Sequence, residues 1–275
     1  MMAMKTYQLQ SHKLGCIVKG LDLNQPISPK TISHLIEDVT QHRLLIFKNQ
    51  GIVNADRQLE ISSWFGQIES TFYNHPKSPH RDIFRVSNDP SEGCTNVGRT
   101  GWHIDGSFQE KPFSHSIYHI ISCPSQGATV FAPLTELIER LDESKRKFWN
   151  RLYMGSDRRG NCVHPHVYPH PLTKLPTLCF HLGMTDHYIL DYGTPQAKRM
   201  NDEETEKIKA GIHAEFVKNS GDIQYVHEWQ PGDFLISDNL ALGHEASPDT
   251  QLSTSQVGLR VMHRVTIAGK HKPQK

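Results

Sequence analysis

The chain has little cysteine, and what it has is not arranged for disulfide, zinc or redox work. Cys16, Cys94, Cys123, Cys162 and Cys179 are the only five in 275 residues. They are odd in number and include no Cys-x-x-Cys pair, so they read as reduced thiols of an intracellular protein. An excess of charge is also missing. Thirty Lys+Arg against 29 Asp+Glu leave a formal charge of +1, with no electrostatic reach for nucleic acid or an anionic membrane. The small basic cluster Lys270-His271-Lys272 reads as a solvated tail. No run approaches the roughly 20 apolar residues of a membrane span, and Met1 to Leu14 lacks the apolar core of a signal peptide. The expectation is a soluble, cytoplasmic protein with neither a membrane nor a nucleic-acid partner. No linker or internal repeat divides the chain, so residues 1–275 are expected to form one domain.

What is present is a patchwork of short elements. Ser28-Pro29 reads as a helix N-cap and first turn, followed by Ile32, Leu35, Ile36 and Val39 on one face. Arg43 to Phe47 reads as a strand, and Asn54 to Phe65 as a second helix stopped at Gly66. A third helix starts near Pro133, with Leu134, Leu137, Ile138 and Leu141 at helical spacing. A fourth follows Asn201-Asp202 and carries Ile208, Ile212 and Phe216. Strand patterns cover 84–86, 116–122, 177–182, 233–237 and 258–267, with a turn at Gln230-Pro231-Gly232-Asp233. Strands and helices do not alternate regularly, which argues against a doubly wound parallel sheet. The pattern predicts a mainly β fold with helical insertions on a double-stranded β-helix (jelly-roll) core.

The chemistry concentrates in two stretches. Side chains two apart on an extended segment share a face, so His103 and Asp105 point together. His244 follows the apolar segment Phe234-Leu235-Ile236, past a turn at Asp238-Asn239, near a strand end. Two imidazoles and one carboxylate form the ligand set of a mononuclear non-haem iron site with positions left open. The other dense histidine group, His164, His166 and His170, lies among prolines with no carboxylate. It reads as an extended loop with a non-metal role.

The surrounding residues resemble a known family. Trp102-His103-Ile104-Asp105-Gly106-Ser107-Phe108 is similar to a W-H-x-D-x-(S/T)-F motif. Gln126-Gly127-Ala128-Thr129-Val130-Phe131 resembles a G-G-x-T-x-(F/W) region in which Gln126 replaces the first glycine. Trp229-Gln230-Pro231-Gly232-Asp233, Asp238-Asn239 and His244 follow in order. Arg260-Val261-Met262-His263-Arg264 matches R-x-M-x-R. From Gly20 to Ile267 the chain resembles the taurine dioxygenase-like (TauD/TfdA) family of Fe(II)/2-oxoglutarate-dependent oxygenases.

The resemblance implies Fe(II) on His103, Asp105 and His244. It also implies 2-oxoglutarate as cosubstrate, its far carboxylate on Arg260 and Thr129, and O2 as oxidant. The implied reaction oxidises an unactivated C–H bond by hydroxylation, desaturation or oxidative ring closure, releasing succinate and CO2. Arg264, His75 and, beside it, Asn74 match positions that contact substrate, with Arg99 and Lys77 close in sequence. They point to a small anionic or zwitterionic metabolite such as an amino acid derivative or a sulfonate. A pocket lined instead by Phe108, Phe113 and Tyr73 would remove that argument. Taurine itself is not carried over, because Asn96 to Gly101 stands where taurine oxidisers place an asparagine-rich stretch. The segment between His244 and Arg260 is also longer here. Two other readings stay open: a non-catalytic jelly-roll metal-binding protein and a zinc-dependent hydrolase. The family leaves a homo-oligomer open, but the sequence carries no interface signal.

Overall fold

The computed structural model describes residues 5–70 and 74–275. The chain opens with strands β1 (Gln8–Ser11) and β2 (Cys16–Lys19), helix α1 (Pro29–His42), β3 (Leu44–Phe47), α2 (Ala55–Ser63) and β4 (Phe84–Ser87). The middle holds β5 (His115–Ser122), β6 (Thr129–Pro133), α3 (Leu134–Glu139), α4 (Glu143–Arg151), β7 (Leu152–Ser156), β8 (Cys162–Pro165), β9 (Val167–Pro169) and β10 (Pro176–Leu178). The remainder is β11 (His187–Leu190), β12 (Lys198–Arg199), α5 (Asp202–Gly221), β13 (Tyr225–His227), β14 (Phe234–Asp238), β15 (Leu242–Ala246), α6 (Thr254–Val257) and β16 (Val261–Ile267).

Two sheets make the jelly roll. The larger has the order β1-β2-β3-β14-β5-β16-β4, and the smaller β13-β6-β15. All these pairings are antiparallel except β2 with β3. One apolar cluster draws Ile46, Tyr118, Ile120, Leu235 and Met262 from the large sheet and Phe131, Tyr225 and Leu242 from the small one. The two faces therefore share a core, as in a sheet sandwich. A four-stranded sheet, β12-β11-β7-β8, and the hairpin β9-β10 form the insertion between β6 and β13. That insertion packs α3, α4 and α5 around a second cluster containing Leu137, Trp149, Phe180 and Phe216.

Local chemistry explains most boundaries. Ser28 accepts the Thr31 amide at the head of α1, and Arg43 ends that helix with a left-handed φ of 69°. This lets β3 start at the next residue. Asn54 caps α2 by accepting from the Arg57 amide. The single helix expected after Pro133 is two. Asp142 accepts the Lys145 amide and starts α4 afresh, so the apolar spacing through Leu141 ends with α3. The expected strand over 177–182 pairs only as Pro176–Leu178, with His181 reduced to a single bridge to His103. The proline-rich stretch 162–170 is not a loop. Pro165 and Pro169 close the strands β8 and β9, which lie at sheet edges where a missing N–H costs nothing. Among the described residues no helix is long and apolar enough to cross a membrane.

Candidate metal and cosubstrate site

The metal stretch is laced into the mouth of the jelly roll by its backbone. His103 exchanges both amide hydrogen bonds with His244, at 3.1 and 2.9 Å. On its other side Ile104 N–H donates to Phe180 O and Leu182 N–H to Trp102 O. Three histidines, 181, 103 and 244, thus sit on neighbouring strips of chain. Alternation sends Trp102 and Ile104 into the core, where Trp102 stacks on Phe216 with centroids 4.3 Å apart. His103 and Asp105 face the mouth. One ligand atom each from His103, Asp105 and His244 lies within 4.8 Å of the others, and all three residues are buried.

The donors are pre-set for a cation. His103 Nδ1–H donates to Gly101 O at 2.7 Å, which leaves the Nε2 lone pair for a metal. His244 Nε2 lies 3.3 Å from the Tyr118 hydroxyl. Burial, reinforced by His103, pushes the His244 imidazole down to about 3, so it is a neutral ligand at ordinary pH. Burial would raise the Asp105 carboxyl, but Arg264, His244, His103 and Ser116 together hold it well below the usual carboxylate range. Arg264 donates to Asp105 Oδ1 at 2.7 Å and the Ser116 hydroxyl to Oδ2 at 2.7 Å. Asn239 fixes the backbone here. It accepts the Asp105 amide through Oδ1 and donates through Nδ2 to the carbonyls of Asp105 and Phe113. Gly106 turns with φ +72°, and a Cβ there would lie 2.8 Å from the Phe113 ring.

Deeper in, Arg260, just ahead of β16, lines one cavity with Met262 and Arg264 of that strand. Arg260 is 3% exposed. Its Nε has no partner, and Nη2 meets only the Met262 sulfur, at 3.7 Å. Among the described residues no carboxylate pairs with it, and burial brings its guanidinium down to about 10. Ser87 and Asn88 hold its backbone. Thr129 is buried nearby, and its oxygen accepts the Trp229 indole N–H at 3.1 Å, so its own hydroxyl proton is free to donate elsewhere. Both residues line one small cavity with His103, Tyr118 and His244. Gly127 adopts φ +118° with Arg260 Cδ 3.6 Å from where a Cβ would be. It is the retained glycine, then, and not Gln126, that stands against this arginine.

A second cavity of about 190 Å³ opens over the triad, walled by Phe84, Phe108, Phe113, Met184, His181 and Arg264. Arg264 is flanked across the sheet by Tyr118 and Phe84, and its guanidinium lies 5.0 Å from the Phe84 ring centroid. The expected substrate contacts His75 and Asn74 do not join this group. The His75 Nδ1 accepts the Lys77 amide and its Nε2 donates to Pro90 O, which occupies both ring nitrogens. Lys77 pairs with Glu92, and Arg99 donates to Ala246 O. Tyr73 lies outside the described residues. His164, His166 and His170 serve packing, with His170 paired to Asp238.

Several of these partners escaped the sequence reading. Ser116 and Tyr118 were findable, since period-two alternation along the expected strand puts both on one face. Asn239 and Trp229 stood inside recognised motifs without a stated role. His181 carried no sequence signal.

The chain is 25% identical over 263 residues to the alpha-ketoglutarate-dependent sulfonate dioxygenase of Saccharomyces cerevisiae, covering 86% of this chain and 61% of the yeast protein. Less than two thirds of that relative's length is therefore spanned. It is 24% identical over 268 residues to the 3-((Z)-2-isocyanoethenyl)-1H-indole synthase of Fischerella ambigua, covering 90% and 92%. The fold matches a solved taurine dioxygenase from Burkholderia xenovorans with a TM-score of 0.77 at 20% identity, covering 97% and 92%. The profile of the taurine catabolism dioxygenase TauD, TfdA family matches residues 5–266. The chain thus belongs to the TauD/TfdA family of Fe(II)- and 2-oxoglutarate-dependent dioxygenases, a jelly-roll oxidoreductase family using O2.

Proposed function

We propose that this dioxygenase holds Fe(II) on His103, Asp105 and His244 and anchors the far carboxylate of 2-oxoglutarate on Arg260 and Thr129. The observation that carries this reading is Arg260, a buried cation with no carboxylate in hydrogen-bond contact among the described residues, in the same cavity as the triad histidines. A buried charge left unpaired costs several kcal/mol, and a small dianion entering that cavity would relieve it with a bidentate pair. When bound, Fe(II), 2-oxoglutarate and O2 supply the oxidising power, and the cosubstrate leaves as succinate and CO2. The chain's part is to hold and orient. His103 presents a fixed tautomer, Ser116 and Arg264 keep Asp105 ionised and aimed, and Thr129 turns its free proton toward the anion. The aromatic walls of the outer cavity exclude water from the reacting C–H bond.

The substrate is a small anionic or zwitterionic metabolite, oxidised by hydroxylation, desaturation or ring closure. Arg264 supports this, because it lines the outer cavity and its Nε is buried without a partner. Neither a passive metal clip nor a zinc hydrolase accounts for Arg260. Among the described residues no carboxylate besides Asp105 lines either cavity to act as a general base. The test is anaerobic addition of Fe(II) and 2-oxoglutarate to the purified protein. A weak visible charge-transfer band is expected in the wild type and none in His244→Ala. Metal uptake without a band in the wild type would sink the cosubstrate reading and favour the clip.

A further inference from the structure

His181 is a buried histidine with half of its hydrogen-bonding capacity turned to a cavity. Its ring is 4% exposed. Nδ1 accepts the Gly183 amide at 3.2 Å, so the proton of the neutral ring sits on Nε2. That nitrogen has no hydrogen-bond partner among the described residues. It is not sealed in, as the partnerless nitrogens of His115, His164 and His166 are. The ring lines the outer cavity together with Met184. A histidine kept only for the core would look like His119, where Nε2 takes the Val53 amide and Nδ1 donates to Asp233 O. Nor is His181 a fourth metal ligand. It stacks flat on His103, with centroids 4.4 Å apart and planes 18° from parallel, and does not join the converging donor atoms.

Two polar side chains of the cavity each stand beside a different triad member, Arg264 against Asp105 and His181 against His103. Thr95, Asn96 and Thr100 also line it, and Phe84, Phe108, Phe113 and Met184 give it an apolar side. We propose that His181 is a specificity-determining residue whose Nε2–H donates one hydrogen bond to an acceptor atom of the substrate. The substrate's anionic group meets Arg264, and its apolar body lies among Phe84, Phe108, Phe113 and Met184. This rests on the cosubstrate reading above and deepens it. The ligand class is an acid carrying an apolar body and a second acceptor separate from the acid group. Holding it at two points decides which C–H bond is presented.

The test uses an isosteric pair of probes, phenoxyacetate and 3-phenylpropanoate, which differ by an ether oxygen in place of a methylene. Each is titrated anaerobically into the full-length protein loaded with Fe(II) and 2-oxoglutarate, and the perturbation of the visible band is read. Wild type should prefer phenoxyacetate by roughly three- to tenfold, the worth of one hydrogen bond. His181→Phe keeps a flat ring on His103 but no donor, and should bind both probes alike. His181→Gln restores an N–H and should recover part of the preference. Equal affinities in wild type, no response to either probe, or a preference that survives in His181→Phe would each overturn the inference. Absence of the band before any probe is added would instead overturn the cosubstrate reading, and this inference with it.

Discussion

Arg260 and Arg264 are the same residue type, four apart, and line the same inner cavity, yet their surroundings are opposite. Arg264 has its counter-ion in Asp105 and leans on Phe84. Among the described residues Arg260 has no ion pair: the Met262 sulfur meets its guanidinium, Ser87 holds its backbone, and Asp249 and Cys123 act on it only without direct contact. A buried charge balanced within the chain roughly offsets its desolvation, whereas one left unbalanced is held at a cost and points to a ligand that completes it. On the proposed reading, the inner end of the site takes the anion that Arg260 lacks. The outer end is nearly self-sufficient, and its substrate must share an arginine already in use.

If that contrast is right, removing the two arginines should have opposite effects on the metal-free protein. Arg264→Met leaves the buried Asp105 with the Ser116 hydroxyl and two neighbouring histidines but no permanent cation, and should lower stability by about 3 kcal/mol in urea unfolding. Added Mn(II) should restore much of the loss, since a dication can take over the guanidinium's electrostatic role. Arg260→Met deletes the uncompensated charge and should leave metal-free stability unchanged or raised. Two charge-assisted bonds are lost, so the apparent affinity for 2-oxoglutarate should drop roughly 100-fold. A large destabilisation of Arg260→Met would mean that the arginine is structural after all. The smallest effect is expected from Trp229→Phe, which frees the Thr129 hydroxyl to rotate. It should weaken 2-oxoglutarate binding about three- to tenfold without changing metal affinity, as measured by titrating the anaerobic band.

The same contrast separates what could be read in the sequence from what could not. The convergence of His103, Asp105 and His244 was legible in part from spacing, since alternation on an extended segment makes His103 and Asp105 face together, while Thr129, Arg260 and Arg264 were singled out only through the motifs that resemble the family's. The jelly-roll core was legible because β3 and β14 carry short apolar runs, and β5 and β16 mix β-branched and aromatic residues with polar ones at strand length. The substrate end was not. His75 and Asn74 sit in a loop whose fold turns both imidazole nitrogens onto backbone groups, and no local pattern predicts that. His181 reaches the site through a one-residue bridge beyond β10, where the expected strand had already stopped pairing. The split between α3 and α4 was missed because Leu141 continues the apolar spacing while Asp142 starts a new helix.

The one-residue-wide strip at His103, bonded to His244 on one side and to Phe180 and Leu182 on the other, also constrains how the enzyme can be retuned. Changes at Phe84, Phe108, Phe113 or Met184 can reshape the substrate cavity while leaving the backbone at His103 alone. Changes that move the 180–182 segment displace a metal-triad residue along with the pocket wall. For divergence or laboratory evolution toward new acids, the aromatic walls are therefore the free variables. Position 181 is a coupled one, where a gain in selectivity is tied to the iron's own affinity.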